Sequence, residues 1–178
     1  MAQIILITGG ARSGKSRLAL DLAEKCPEPR AFIATCPPLD EEMQQRIEAH
    51  QNAREKAGWD TIEETTNLAD VLQKNTSYNV MLIDCITLWI NNLMHRSSEK
   101  NRDLDESNIE KITIELLGAA RKHPGTVIFV TNEVGMGIVP ENALARRYRD
   151  LVGRCNQAIA AAADDVRLVT CGIDRKIK

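Results

Sequence analysis

At 178 residues the chain is sized for one domain, 1–178, since a domain runs to about 150 residues and a chain of this length buries a core without disulfide staples. Lys and Arg number 23 against 25 Asp and Glu, a formal net charge of −2, so no bulk field draws the protein onto nucleic acid or anionic lipid. With 43% hydrophobic and 27% charged residues and no long uncharged apolar run, the composition excludes disorder and membrane insertion and is that of an ordinary soluble globule.

Taken from the amino end, Met1-Ala2-Gln3 lacks a basic segment, and the apolar Ile4-Ile5-Leu6-Ile7 stops at a glycine turn, too short for a signal peptide. It reads as a first strand, 4–8. Helix-forming Arg17-Leu18-Ala19-Leu20-Asp21-Leu22-Ala23 follows the turn, and further β-branched runs lie at 31–35, 80–84, 126–131 and 166–170. These runs are apolar throughout rather than alternating, which suits strands covered on both faces, so the expected class is α/β with a mostly parallel sheet flanked by helices.

Between the strands, Asp40 and Glu41 open a predicted helix running through Arg54. Trp89, within Ile86-Thr87-Leu88-Trp89-Ile90, belongs to an apolar stripe read as core, and the polar, mixed-charge stretch 97–107 is the expected loose loop. A helix after Pro140 carries Leu144, Tyr148, Leu151, Val152, Cys155, Ile159 and Ala162 along one stripe that should pack on the sheet. The five cysteines, Cys26, Cys36, Cys85, Cys155 and Cys171, are odd in number and widely spaced. They include no C-x-x-C pair, and with three histidines they complete no zinc set, so they read as reduced thiols of a cytoplasmic protein.

The chemistry concentrates in Gly9-Gly10-Ala11-Arg12-Ser13-Gly14-Lys15-Ser16, which fits G-x-x-x-x-G-K-[ST] between a strand and a helix. Glycines let backbone N–H groups converge on phosphate oxygens, and the helix N-terminus adds positive potential. Lys15 is placed to meet the β/γ-phosphates and Ser16 to hold Mg²⁺. A metal also needs a carboxylate, and Asp84, ending the apolar run Val80-Met81-Leu82-Ile83, is the metal-side candidate. By itself such an Asp is as well explained as a turn or capping residue; the phosphate loop favours the metal.

On the helix expected after Asp40, four-residue spacing lines up Arg46, His50 and Arg54. Neighbouring cations disfavour imidazolium, so His50 would stay neutral and nucleophilic near pH 7, with the arginines free to grip phosphate; taken alone, a histidine in a charged helix is more often plain solvated surface, and composition does not choose between the two. Asn132 and Glu133 end a predicted strand at the edge where open α/β sheets bind ligands. They are assigned to the active-site rim, with Gly135 and Gly137 allowing close approach or only turning the chain towards Pro140.

Together these residues resemble the bifunctional adenosylcobinamide kinase / adenosylcobinamide-phosphate guanylyltransferase family of cobalamin biosynthesis. The marks are Thr8 followed by the phosphate loop, then Arg46-Ile47 leading to His50 and Arg54 with Trp59 and Glu63 behind. The most specific is Thr131-Asn132-Glu133-Val134-Gly135-Met136-Gly137-Ile138-Val139-Pro140, continued by Leu144-Ala145-Arg146, Arg149-Asp150, Gly153-Arg154 and Asn156. The chain closes on Gly172-Ile173 and Lys176-Ile177-Lys178. Gln51 and Glu55 stand where many relatives carry a basic residue and a proline.

The resemblance implies a RecA-like P-loop NTPase architecture, a homotrimer, and two reactions. A nucleoside triphosphate, ATP or GTP, phosphorylates the aminopropanol hydroxyl of adenosylcobinamide; GMP then passes from GTP to the new phosphate through a GMP-histidine intermediate at the position of His50, releasing pyrophosphate. It also implies nucleotide contacts from Ala34, Thr35 and Cys36, from Gln51, Asn52, Ala53 and Arg54, and from Glu63 and Asp84. Two other classes satisfy the phosphate loop. A P-loop kinase of a different small alcohol has no use for a labelled histidine, and a GTP-binding switch releases no transferred product.

Overall fold

The computed structural model describes residues 2–37 and 57–178. In chain order the elements are β1 (Ile4–Gly9), α1 (Lys15–Ala23), β2 (Arg30–Ala34), β3 (Trp59–Glu63), α2 (Leu68–Lys74) and β4 (Val80–Asp84). They continue with α3 (Ile86–Glu99), α4 (Glu106–Lys122), β5 (Thr126–Val130), a 3-10 turn (Val134–Met136), α5 (Ala143–Ala162), β6 (Asp165–Thr170) and β7 (Ile173–Lys176). The helix expected between Asp40 and Arg54 lies outside the described residues.

Seven strands form one sheet in the order β3-β2-β4-β5-β1-β6-β7, parallel except for the final β6–β7 pair. The α/β expectation therefore holds. The continuous apolar runs arise because successive side chains of a strand point to opposite faces, and both faces are covered. Ile4 and Leu6 of β1 join a core with Met81, Ile83, Val127 and Phe129, closed by α2, α3, α4 and α5. Ile5 and Ile7 join the other core with Leu82, Ile128 and Val130, against Ala19 and Ala23 of α1. Trp89 is 1% exposed and donates from its indole nitrogen to the carbonyl of Thr66 at 2.8 Å, as a core residue should.

Two strands escape the sequence pattern, and both lie at sheet edges. β3 has only Trp59 fully buried, its ring set edge-on to Phe32 at 6.5 Å, so no continuous apolar run marks it. β7 is exposed throughout and charged at Asp174, Arg175 and Lys176, which blunts the edge against pairing with another chain. It forms a hairpin with β6 through Cys171 and Gly172, both at positive φ (51° and 79°), as a two-residue turn requires.

Two expectations need correction. The stretch 97–107 is not one loop: α3 continues to Glu99 and α4 begins at Glu106, capped by the Asp105 carboxylate, which accepts from the Asn108 amide at 2.8 Å. The loop is thereby confined to 100–105, where Leu104 is buried, so burial of one apolar side chain fixes a connection that composition reads as free. In α5, Leu144 stands 63% exposed, because the buried face begins a turn or more later, with Leu151, Val152, Cys155 and Ile159.

Since the strands from β3 to β6 run parallel, their carboxyl ends share one edge of the sheet. The residues following β1, β2, β3, β4 and β5 are thereby brought together, which is where ligands bind in open α/β sheets.

Candidate active site

The loop after β1 turns on two glycines at positive φ, Gly9 and Gly14. At Gly9, φ is 148° and an added Cβ would sit 2.2 Å from the carbonyl oxygen of Val169 on β6. Gly14 has φ 103° and would carry its Cβ to 3.3 Å from the Cα of Gly172. The β6–β7 turn is itself a support, since the Gly172 amide donates to the Ser13 carbonyl at 2.8 Å. Opposite, the Glu133 amide donates to the Gly9 carbonyl at 3.1 Å.

α1 opens at Lys15 without a side-chain cap and with no acidic residue in its first turn, so its first amides face an anion site with no internal competitor. The Ser13 hydroxyl is buried without a hydrogen-bond partner, an orphan donor inside the loop. Lys15 is 6% exposed, and its ammonium donates to the Gly10 carbonyl at 2.6 Å, folded over the loop. Burial pushes its pKa below the ordinary lysine range, against the pull of Asp84, Cys85 and Glu133, in that order. Phosphate oxygens bound in the loop would act in the same direction as those carboxylates and hold Lys15 charged.

The other described candidates fall along the same edge. Ala34 on β2 stands in register with both Glu63 on β3 and Asp84 on β4, and Asp84 with Val130 on β5. Thr35 is fully buried, and its hydroxyl is committed to Cys85: it donates to the Cys85 carbonyl at 2.9 Å and accepts from the Cys85 amide at 2.8 Å. Its side chain therefore positions the end of β4. Cys36 and Pro37 border a cleft that reaches Asn92, His95 and Arg96 on α3. Ser16 is exposed in the first turn of α1. Arg46, His50, Gln51, Asn52, Ala53 and Arg54 lie outside the described residues.

Between β5 and α5 the structure shows a polar network that sequence reading did not assemble. The Thr8 hydroxyl donates to Glu133 Oε1. Asn156, a buried polar residue in the apolar face of α5, accepts from the Thr131 hydroxyl at 2.7 Å and donates to the Asn132 carbonyl at 3.2 Å, with Glu133 Oε1 at 3.5 Å. Asn132 in turn donates to the Thr87 hydroxyl at 2.9 Å, and Tyr148 donates to the Thr87 carbonyl at 3.2 Å. The available signal was the position of Asn156, beside Cys155 on a face that is otherwise apolar. Burial, then Asp84, pushes the Cys85 thiol up, so it stays protonated. Beyond Glu133, whose amide is bonded to Gly9, the chain exposes Met136, Ile138 and Val139 as an apolar stretch.

A phosphate loop, a strand-ending carboxylate and a glycine-rich rim are thus assembled on one edge. The model of the family described as cobinamide kinase / cobinamide phosphate guanyltransferase matches residues 5–177. The chain belongs to this family. It is 43% identical over 182 residues to the bifunctional adenosylcobalamin biosynthesis protein CobU of Salmonella typhimurium, covering 98% of this chain and 99% of that protein. It is 40% identical over 174 residues to the bifunctional adenosylcobalamin biosynthesis protein CobP of Pseudomonas aeruginosa, covering 97% and 96%. Among solved structures its fold is similar to that of the KaiC-like protein PH0186 from Pyrococcus horikoshii, with a TM-score of 0.55 at 16% identity over 93% of this chain and 70% of that one. That likeness concerns the RecA-like fold alone. The cobinamide kinase / guanyltransferase match spans the elements that build the site, from β1 to β7.

Proposed function

We propose that this protein phosphorylates the aminopropanol hydroxyl of adenosylcobinamide with ATP or GTP, and then transfers GMP from GTP to adenosylcobinamide phosphate. The observation that carries this reading is a fully formed phosphate loop, with Lys15 buried over it, in a chain matched over residues 5–177 by a family described by both activities.

In the first step the hydroxyl oxygen bonds to the γ-phosphorus as the β,γ-bridging bond breaks, and the nucleoside diphosphate leaves with the electron pair. The amides of the loop and Lys15 hold the phosphates in line and stabilise the charge that develops on them. In the second step a ring nitrogen of His50 attacks the α-phosphorus of GTP and pyrophosphate leaves; a phosphate oxygen of the substrate then displaces the histidine, giving adenosylcobinamide-GDP. Arg46 or Arg54 neutralises the equatorial oxygens. Ala34, Cys36, Gln51, Asn52, Ala53 and Glu63 complete the nucleotide site.

Ser16, next to Lys15 in the first turn of α1, and Asp84, which interacts with Lys15 from the end of β4, are hard oxygen donors, a set that fits Mg²⁺, which when bound would neutralise phosphate charge. Both steps run in one domain, 1–178, of a cytoplasmic homotrimer; no helix among the described residues is long and apolar enough to cross a membrane.

The test is to incubate the purified protein with adenosylcobinamide, ATP, GTP and Mg²⁺ and follow products by mass. Adenosylcobinamide-GDP with stoichiometric pyrophosphate is the expected result. GTP hydrolysis without any corrinoid product would make the chain a nucleotide switch and overturn the proposal.

A further inference from the structure

Phosphorylating an alcohol requires a group that removes its proton, and the structure offers a carboxylate so far without a role. We propose that Glu133 is the general base of the kinase step, deepening the reading above and resting on it.

Glu133 stands where β5 leaves the sheet beside β1, and its amide is tied to the Gly9 carbonyl at 3.1 Å, so its backbone is anchored to the phosphate loop itself. Its side chain is held at one oxygen only. Oε1 accepts from the Thr8 hydroxyl and has Asn156 Nδ2 at 3.5 Å, whereas Oε2 makes no hydrogen bond among the described residues. A carboxylate with one oxygen fixed and the other available is arranged to accept a proton at a set place. It also lies close enough to Lys15 to interact with its charge, hence beside the phosphates that Lys15 would grip. Asp84 is the other carboxylate near Lys15, and its interaction with Lys15 is the stronger of the two. It ends β4, separated from β1 by β5, and it is the residue with the metal-side part. Among the described residues the other ionisable side chains near the loop are Arg12 and Arg17, which border it, Cys171 in the β6–β7 turn, and Cys85 at the end of β4, whose thiol burial pushes up; Tyr148 on α5, whose pKa burial raises, bonds Thr87 instead.

In balance, the substrate O–H proton passes to Glu133 Oε2 while the oxygen bonds to the γ-phosphorus. The β,γ-bridging bond breaks, and the protonated Glu133 returns its proton to solvent once the nucleoside diphosphate has left. Thr8 and Asn156 are positioning residues, acting through Glu133.

The experiment compares wild type with E133Q, E133D and N156A, measuring phosphorylation of adenosylcobinamide by ATP across the pH range. E133Q is expected to lose about a hundredfold or more in kcat, with KM for the nucleotide within about threefold, and to lose the acid limb of the kcat/KM profile. E133D withdraws the carboxylate by one methylene; it should keep the limb and lose about tenfold, and it decides the matter if E133Q does not fold. N156A should lower kcat less than E133Q and keep the limb. E133Q or E133D at the wild-type rate, or an E133Q whose kcat falls with the acid limb intact, overturns the assignment. A wild type that neither phosphorylates adenosylcobinamide nor takes up label from GTP labelled at the α-phosphate overturns the underlying reading as well, and so is distinguishable from failure of Glu133 alone.

Discussion

The hydroxyl of Thr8, next to last in β1, donates to the carboxylate of Glu133, which follows β5. With the returning bond from the Glu133 amide to the Gly9 carbonyl at 3.1 Å, it joins two neighbouring strands at the point where both leave the sheet. The phosphate loop and the glycine-rich rim therefore share one footing, and the charge of Lys15 is felt by both Asp84 and Glu133.

Lys15→Ala removes the only ammonium buried at the loop among the described residues. Because both proposed steps place triphosphate there, each should fall by about a hundredfold or more, measured as separate rates of phosphorylation and guanylyl transfer. Loss of one step with the other intact would mean that the two reactions use different triphosphate sites.

Gly9→Ala and Gly10→Ala should separate cleanly in stability. A Cβ at Gly9 meets the Val169 carbonyl oxygen at 2.2 Å, a backbone atom that cannot step aside, whereas one at Gly10 meets nothing within 4 Å. The first should cost about 3 kcal/mol or more, or roughly 6–12 °C in Tm, and the second less than about 1 kcal/mol, by thermal melting.

Asp164 ties three elements at the far end of the sheet from the site. Its carboxylate is gripped by Arg121 from α4, at 2.6 and 3.0 Å, and accepts from the Ile4 amide at 2.8 Å; the Arg121 hydrogen bond first, then that amide, hold its pKa down at about 2. The folded value lies below the unfolded one of about 3.9, so the stabilisation is present above pH 4 and fades as the pH falls towards 2. The Asp164 side chain is 44% exposed, and with solvent screening the contribution is about 1 kcal/mol rather than the full shift. Asp164→Asn should lower Tm by about 2–4 °C at pH 7, with the gap from wild type narrowing below pH 4. A gap that is constant or widens with acid would contradict this.

The phosphate loop was legible in the sequence because its determinants are local: a fully buried strand, glycines at strained positions, and a helix in immediate succession. Asp84 was legible for the same reason, ending an apolar run. β3 and β7 were not, since an edge strand buries one face or none and leaves no continuous apolar signature. Nor was the support under Glu133, because Thr8 and Glu133 are 125 residues apart and Asn156 reaches them from α5. The prop from Gly172 depends likewise on where β6 pairs, and a glycine near the chain end does not announce it. The loop expected over 97–107 is confined to 100–105, because α3 runs on to Glu99 and α4 starts at Glu106, and it is held down by burial of Leu104, a single apolar residue among ten polar ones.

The central claim is that His50 carries GMP. Incubation with GTP labelled at the α-phosphate, denaturation, and peptide mapping tests it most directly. The expected result is label on the peptide containing His50, stable to alkali, lost in acid and absent from His50→Ala. Wild-type protein that consumes GTP and makes adenosylcobinamide-GDP without ever retaining label, or that retains it on a residue other than His50, would contradict the account.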